Sequence, residues 1–458
     1  MATSPRLITR RRVLLASAAA AGGGLLAACA ATPQVVEKVV EQTVVVKETV
    51  VVEKEVPAAA GQPVIMTAHF TWSPVYEPRI KEWNDRFMEA NPGIAVAIVW
   101  EPWSEWQTKI LTLAAAGQMP ELVAVHISRA QVLSKQGAIL PLDEWIAADP
   151  EFDVGDYYPA SLEMFTWQDK LYGFPWDWGA SVLRYNRDLF DAAGAAYPTE
   201  DWTFDDLLDT AKTLTQGDVW GYLGLPSGSN ESGPAHLGPW GGAFVNDDET
   251  ECLVDTEESQ AALQYWADLR LVHKVHPMPA DQELLTAIGA RPFLSGKIAM
   301  EWAAPWDAQL YIESAAFKWD LAPWPIGPVT RITGAAGSGY SIGRDTKHPN
   351  EAWKYLRWFA SAEGLGFLFG EKATSLPSRR SLADRFLSAV SSIEHGYYWV
   401  EALDYSTLGR PILTPAREFF EIVRREYELL FLGEKSVAEA ATAICTDAAP
   451  VLAQNKPA

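Results

Sequence analysis

From Val64 to about position 135, short apolar runs alternate with segments whose apolar residues recur every three or four positions. The runs Val64–Phe70, Ile94–Trp100 and Leu122–Ile127 predict three strands. Between the first two, the spacing of Ile80, Trp83, Phe87 and Met88 predicts a helix from about Glu77, stopped by Asn91-Pro92-Gly93. Ser104 is expected to cap a second helix with Ile110, Leu111 and Ala114 inward, closed by Gly117 and Pro120. A third helix should end near Gly137. Thr203 and Asp206 resemble a capping box before Leu207, Leu208, Ala211 and Leu214. Asn350 is expected to cap a helix that turns Trp353, Leu356 and Phe359 inward, and two more helices fall near 415–432 and 436–453. Strand and helix in alternation predict α/β layers.

The first 61 residues break this pattern. Arg10-Arg11-Arg12 precedes an apolar Ala/Gly run that ends Leu26-Ala27-Ala28-Cys29. Arginines before a short apolar stretch make a secretory signal, and the arginine pair resembles a twin-arginine export signal. Leu-Ala-Ala-Cys resembles a bacterial lipobox, with Cys29 as the lipidated mature N-terminus. The run Val13–Ala28 falls short of the ~20 residues a spanning helix needs, so residues 1–28 are expected to be removed. A low-complexity Val/Glu/Lys tract fills 34–56 with near-sevenfold spacing. Its adjacent β-branched residues disfavour a coiled coil, so 29–61 is expected to be a stalk closed by Pro57 to Pro63.

Composition narrows the class. The chain of 458 residues has 37 basic and 59 acidic side chains, a formal charge of −22, and loss of the signal moves it to −26. Such a chain does not bind nucleic acid through bulk charge. Length and a 48% hydrophobic content fit two or three domains. With Cys29 assigned to lipid, Cys252 and Cys445 make no framework and are expected as free thiols, although a bridge is possible. His273 and His276 lie three apart without further ligands, so they are expected as solvated helix-end residues; no metal or cofactor is implied.

A set of motifs then runs through the chain in order: Phe87-Met-Glu-Ala-Asn-Pro-Gly-Ile94, Trp103-x-x-Trp106-x-x-Lys109, Ala115-Ala-Gly-x-x-Pro-Glu-Leu122 and Leu171-Tyr-Gly-Phe-Pro175. Tyr185-Asn-Arg-Asp-Leu-Phe-Asp-Ala-Ala-Gly194 follows and is the most specific. Phe293-Leu-Ser-Gly-Lys-Ile-Ala-Met300, Ala304-Pro-Trp306, Ala336-Gly-Ser-Gly-Tyr-Ser-Ile342 and Lys347-His-Pro-Asn-Glu-Ala-Trp353 complete the set. Together they resemble the extracellular solute-binding proteins of ABC importers, in the sugar-binding group that includes maltose-binding protein. Glu121 stands where that family usually has Asp. The resemblance implies an α/β, two-lobed periplasmic-binding-protein-like fold with an interdomain hinge and a ligand cleft. It places one lobe at 62–176 plus 327–364 and the other at 177–326 plus 365–450. It also implies a carbohydrate ligand and a membrane-embedded ABC permease as partners, outside the cytoplasm.

Sugar rings present an apolar face and a rim of hydroxyls, so a binder needs flat aromatics and fixed polar groups. The chain has 20 Trp against 17 Phe and 15 Tyr, an excess that fits such platforms. Trp83, Trp266 and Trp353 sit at helical core spacing and are expected in the core. Trp72, Ser73 and Tyr76 follow the first strand and are expected at the site. In Trp176-Asp177-Trp178, alternation of an extended chain would send both indoles one way and Asp177 the other. Alignment with the family adds Trp240, Trp306, His126 with Ser128, and the loop Gly337-Ser338-Gly339-Tyr340.

Rival readings follow from other motifs. Gly339-Tyr340-Ser341-Ile342-Gly343 fits the nucleophile elbow of serine hydrolases, with Asp384 and His395 later in the required order. The elbow needs a helix straight after the serine, whereas Arg344 to Pro349 reads as a turn. A glycosidase would need a carboxylate pair, which 59 acids always allow. The same fold could bind a glycerophosphodiester or a peptide, and Arg129, Arg379 and Arg410 are candidate phosphate partners.

Overall fold

The computed structural model describes residues 63–71, 76–289, 291–412 and 416–455. The signal, Cys29 and the stalk lie outside the described residues, as do Trp72 and Ser73. In chain order the strands are β1 (Val64–Thr71), β2 (Ile94–Glu101), β3 (Leu122–His126), β4 (Thr166–Trp167), β5 (Lys170–Leu171), β6 (Phe174–Pro175) and β7 (Gly179–Ala180). They continue as β8 (Val182–Asn186), β9 (Trp220–Leu223), β10 (Ile298–Ala303), β11 (Trp319–Ala322), β12 (Thr333–Ala336), β13 (Ser338–Ile342) and β14 (Ser406–Leu408).

Two larger sheets define two lobes. The first has the order β2-β1-β3-β13-β6 and the second β11-β8-β10-β9. Strand pleating sends Met66, Ala68 and Phe70 of β1 to one face, where helices Glu77–Ala90 and Pro349–Phe359 bury Ile80, Trp83, Phe87, Trp353, Leu356 and Phe359. On the opposite face, helices Trp103–Ala116 and Ile127–Lys135 bury Trp106, Ile110, Ala114, Ala130 and Leu133. Helices on both faces of a mostly parallel sheet are the doubly wound arrangement. In the second lobe, helices Phe204–Leu214, Glu257–Leu271, Ala416–Phe431 and Val437–Leu452 contribute Leu207, Trp266, Phe419 and Ile444 to one core.

A small third sheet, β14-β12-β7, joins the lobes. The chain leaves the first sheet at β6, passes β7 and enters the second at β8; it returns from β11 through β12 to β13. The two crossings pair with each other, Ala335 opposite Ala180 and Ala336 opposite Gly179. The core around this sheet takes residues from both lobes, among them Val123, Trp178, Leu321 and Trp399.

Several local expectations are corrected. The helix after β2 starts at Trp103 with Pro102 at its cap position, so Ser104 lies inside it. His348, not Asn350, precedes helix Pro349–Phe359; Pro349 takes the first position because its missing N–H is not needed there. The capping box of Thr203 and Asp206 is present as expected. Cys252 and Cys445 form a disulfide with Cα atoms 5.3 Å apart. Cys252 forms a β-bridge with Val245 while Cys445 lies on helix Val437–Leu452, a pairing that no local pattern announces. His276 is not solvated: it is 2% exposed, its Nε2 accepts the Gly224 N–H at 3.2 Å, and burial with the neighbouring Arg270 lowers its pKa to about 3.

Candidate site at the carboxyl edges of the two sheets

Register brings the ends of the first sheet to one level. β1 and β2 run parallel with Thr71 opposite Glu101, and antiparallel β13 sets Ser338 opposite His126. Gly339 pairs with Pro175, so Trp176 and Asp177 leave the sheet at the same edge. In open α/β sheets, ligands bind outside the carboxyl ends of parallel strands. The second sheet has its own such edge: β9 and β10 are parallel and end at Leu223 and Ala303, followed by Gly224 and by Ala304-Pro305-Trp306-Asp307.

Tyr76 lies within electrostatic reach of both edges. This residue precedes helix Glu77–Ala90 and keeps part of its surface accessible. Burial raises its phenol pKa, and the charges of Asp177 and Asp307 raise it further. One carboxylate follows the first sheet and the other follows the second, so both lobes act on one side chain.

Asp177 is 6% exposed; it accepts the Ser338 N–H at 2.8 Å and the Ser375 hydroxyl at 2.9 Å. Burial pushes its pKa up to about 6 against those two hydrogen bonds. Gly337 is required by close approach, because a Cβ there would lie 2.3 Å from the Asp177 carbonyl oxygen. His126 caps helix Ile127–Lys135: its Nδ1 accepts the Ser128 N–H and lies 2.9 Å from the Ser128 hydroxyl. That bond assigns the proton to Nε2, and burial with Arg129 lowers the pKa to about 3, so the ring is a neutral donor at physiological pH. Trp103 packs edge-on to His126 with centroids 5.0 Å apart and is 45% exposed. Trp306 is half-buried against Trp302, with centroids 6.0 Å apart, and the Trp302 indole N–H is buried without an acceptor among the described residues.

Among the described residues the structure therefore brings Tyr76, His126, Ser128, Asp177, Gly337, Ser338 and Trp306 to the two edges and packs the predicted aromatics Trp176, Trp178, Trp240 and Tyr340 elsewhere. Trp176 is 2% exposed, stacked 4.8 Å from Phe70 in the first lobe's core. Trp178 is buried in the hinge core, so the two indoles enter different cores rather than sharing a face. Tyr340 joins Trp176 and Phe359 in the first core. Trp240 packs 4.7 Å from Phe204 and 5.1 Å from Tyr265. Trp103, Trp302 and Asp307 were not singled out as site residues; their sequence signal is position alone, at or just past the end of a strand.

The rival motifs lose their partners. Ser341 is fully buried within β13, and His395 hydrogen-bonds Asp320 at 2.7 Å instead of Asp384. Arg379 is held by the Ala360 and Asp153 carbonyls and by Asp156. Among the described residues Asp320, Glu394 and His395 come close enough to hold a metal ion, and the Arg187 guanidinium already pairs with both carboxylates.

Two α/β lobes with facing carboxyl edges, joined by paired crossings, define a hinged binding protein. The family model described as bacterial extracellular solute-binding protein matches residues 73–365, and the chain belongs to that family. A binding protein of Brucella abortus is 27% identical over 290 residues, 61% of this chain and 67% of the relative. The arabinooligosaccharide-binding protein of Halalkalibacterium halodurans is 22% identical, over 63% of this chain and 65% of its own. In structure, the chain is similar to an ABC substrate-binding protein from Listeria monocytogenes in complex with cycloalternan: TM-score 0.76, 24% identity, 84% of this chain and 98% of the other.

Proposed function

We propose that this protein is a lipid-anchored, extracytoplasmic binding protein that captures a carbohydrate between its lobes, without chemistry, and delivers it to an ABC permease. The observation that carries this reading is a pair of α/β lobes joined by two paired crossings, with Tyr76 of the first lobe in the electrostatic field of Asp177 at the crossing and of Asp307 in the second lobe. Carboxylates, a phenol and a neutral imidazole suit a rim of hydroxyls, and Trp103 and Trp306 suit ring faces. Relatives named for arabinooligosaccharide and maltodextrin binding support the ligand class. We place the lobes at 62–176 with 327–364, and at 177–326 with 365–450, Asp177 standing at the crossing between them. Within the latter, Leu365, Leu368, Phe369 and Leu382 pack in the first lobe's core, so that stretch travels with the first. Cys29 would carry the lipid and residues 29–61 the spacer.

The test is calorimetric titration of the full chain with oligosaccharides, monosaccharides, polyols, glycerophosphodiesters and peptides. An oligosaccharide should bind without turnover. Binding confined to phosphodiesters or peptides would overturn the ligand class, and turnover would overturn the absence of chemistry.

A further inference from the structure

Charged side chains from the two lobes face each other on one flank of the molecule. Arg410 lies just beyond β14. Its Nη1 reaches Glu249 at 3.1 Å, and its Nη2 reaches Glu163 at 3.3 Å. Glu163 ends helix Pro159–Glu163 in the first lobe, and its carbonyl accepts from Gln131 of helix Ile127–Lys135. Glu249 belongs to the second lobe, is fully buried and also accepts the Ile412 N–H. It holds a left-handed backbone, φ 54°, which L side chains rarely adopt. The buried end of the bridge is therefore fixed, while the Glu163 side chain is 52% exposed.

A further charge lies on the helix whose Gln131 reaches the Glu163 carbonyl. Arg129 stands on helix Ile127–Lys135, one turn from the His126 cap. Burial lowers its pKa to about 10; Arg417 and Arg424 lower it and Glu421 and Glu418 raise it. All four are exposed residues of helix Ala416–Phe431, whose Phe419, Phe420 and Val423 lie in the second lobe's core. The first lobe thus offers Glu163 and the second the opposite charge Arg410, while around Arg129 the like charges Arg417 and Arg424 offset Glu418 and Glu421.

We propose that Glu163–Arg410–Glu249 forms an electrostatic latch that holds the two lobes together. It rests on the reading that the lobes open and close about the hinge. Arg410 is the pivot: Glu249 fixes it to the second lobe, and its free N–H groups take Glu163 when the lobes approach. A partly exposed pair contributes little alone, so the latch biases closure without locking it. That suits a carrier which must release its solute.

Pulsed dipolar distances between spin labels at exposed Asp143 and Asp209, introduced through non-natural side chains in the full chain, measure closure without any ligand. A failure to find the solute therefore leaves this test intact. Raising NaCl from ~10 mM to ~1 M shortens the screening length from ~30 Å to ~3 Å and should lower the closed-to-open ratio. Glu163→Gln should lower it about twofold to fivefold at low salt and remove part of the salt response. Glu163→Lys, placing like charges together, should lower it further. Arg410→Gln is the poorer variant, since it removes the Arg410 guanidinium from the buried Glu249 carboxylate and risks unfolding. Distance distributions that coincide for wild type and both Glu163 variants at low salt would overturn the proposal.

Discussion

At the residue scale, Asp177 makes a prediction with a definite sign. Its carboxyl is desolvated and titrates near 6 in the fold, above the ~3.9 of an unfolded Asp. The folded state therefore binds the extra proton, and stability falls as pH rises through ~4 to ~6. The contribution is on the order of 2–3 kcal/mol. Asp177→Asn keeps the shape: its oxygen still accepts from Ser338 and its amide donates to the Ser375 hydroxyl. Urea melts from pH 4 to 8 should show the variant gaining on wild type as pH rises; a constant difference would contradict the assignment. Indoles that look alike in sequence should also separate. Trp306→Ala should weaken carbohydrate binding about tenfold to hundredfold, the ~1–3 kcal/mol of a lost stacking surface, with little loss of stability. Trp176→Ala should instead cost ~3–5 kcal/mol of stability, because Phe70 and Phe369 stack on it. Calorimetry and urea melts on both variants tell these apart.

At the element scale, alternation and periodicity made β1 to β3 and their helices legible. Ile80, Trp83, Phe87 and Trp353 are inward in the sequence pattern and in the fold. Caps were less legible: proline geometry overrode Ser104 and Asn350, since Pro102 and Pro349 set the backbone at the helix start. The disulfide was illegible because 193 residues separate its halves. That separation gives it weight, for a cross-link over a long loop removes much freedom from the unfolded chain. Cys252→Ala with Cys445→Ala should lower stability by ~3–5 kcal/mol, read as a lower urea midpoint. An unchanged midpoint would show the bridge to be energetically idle.

At the scale of the whole molecule, the proposed anchor and the folded lobes are separable. Cys29→Ser should move the protein from the membrane fraction to the soluble fraction while leaving its melting temperature and its response to carbohydrate unchanged. Equal fatty-acid labelling of wild type and Cys29→Ser would remove the lipid from the reading. A ligand bound only by the fold raises the melting temperature with its concentration in both forms.

The sequence by itself determined the α/β class, the order of strands and helices, the helix faces turned to the core and, through ordered motifs, the resemblance to solute-binding proteins. Those properties depend on local period and on residue types in fixed order, which survive without knowledge of contacts. Only the tertiary structure decided which aromatics are buried in the cores. Trp176 and Trp178 stand two residues apart yet enter separate cores, because the chain crosses between lobes at Asp177. Tyr76 feels the charge of Asp307, 231 positions away, only because the two sheets bring their carboxyl edges near each other. Burial, pairing between lobes and the charge seam of Glu163 with Arg410 are products of that docking, and no local pattern encodes them.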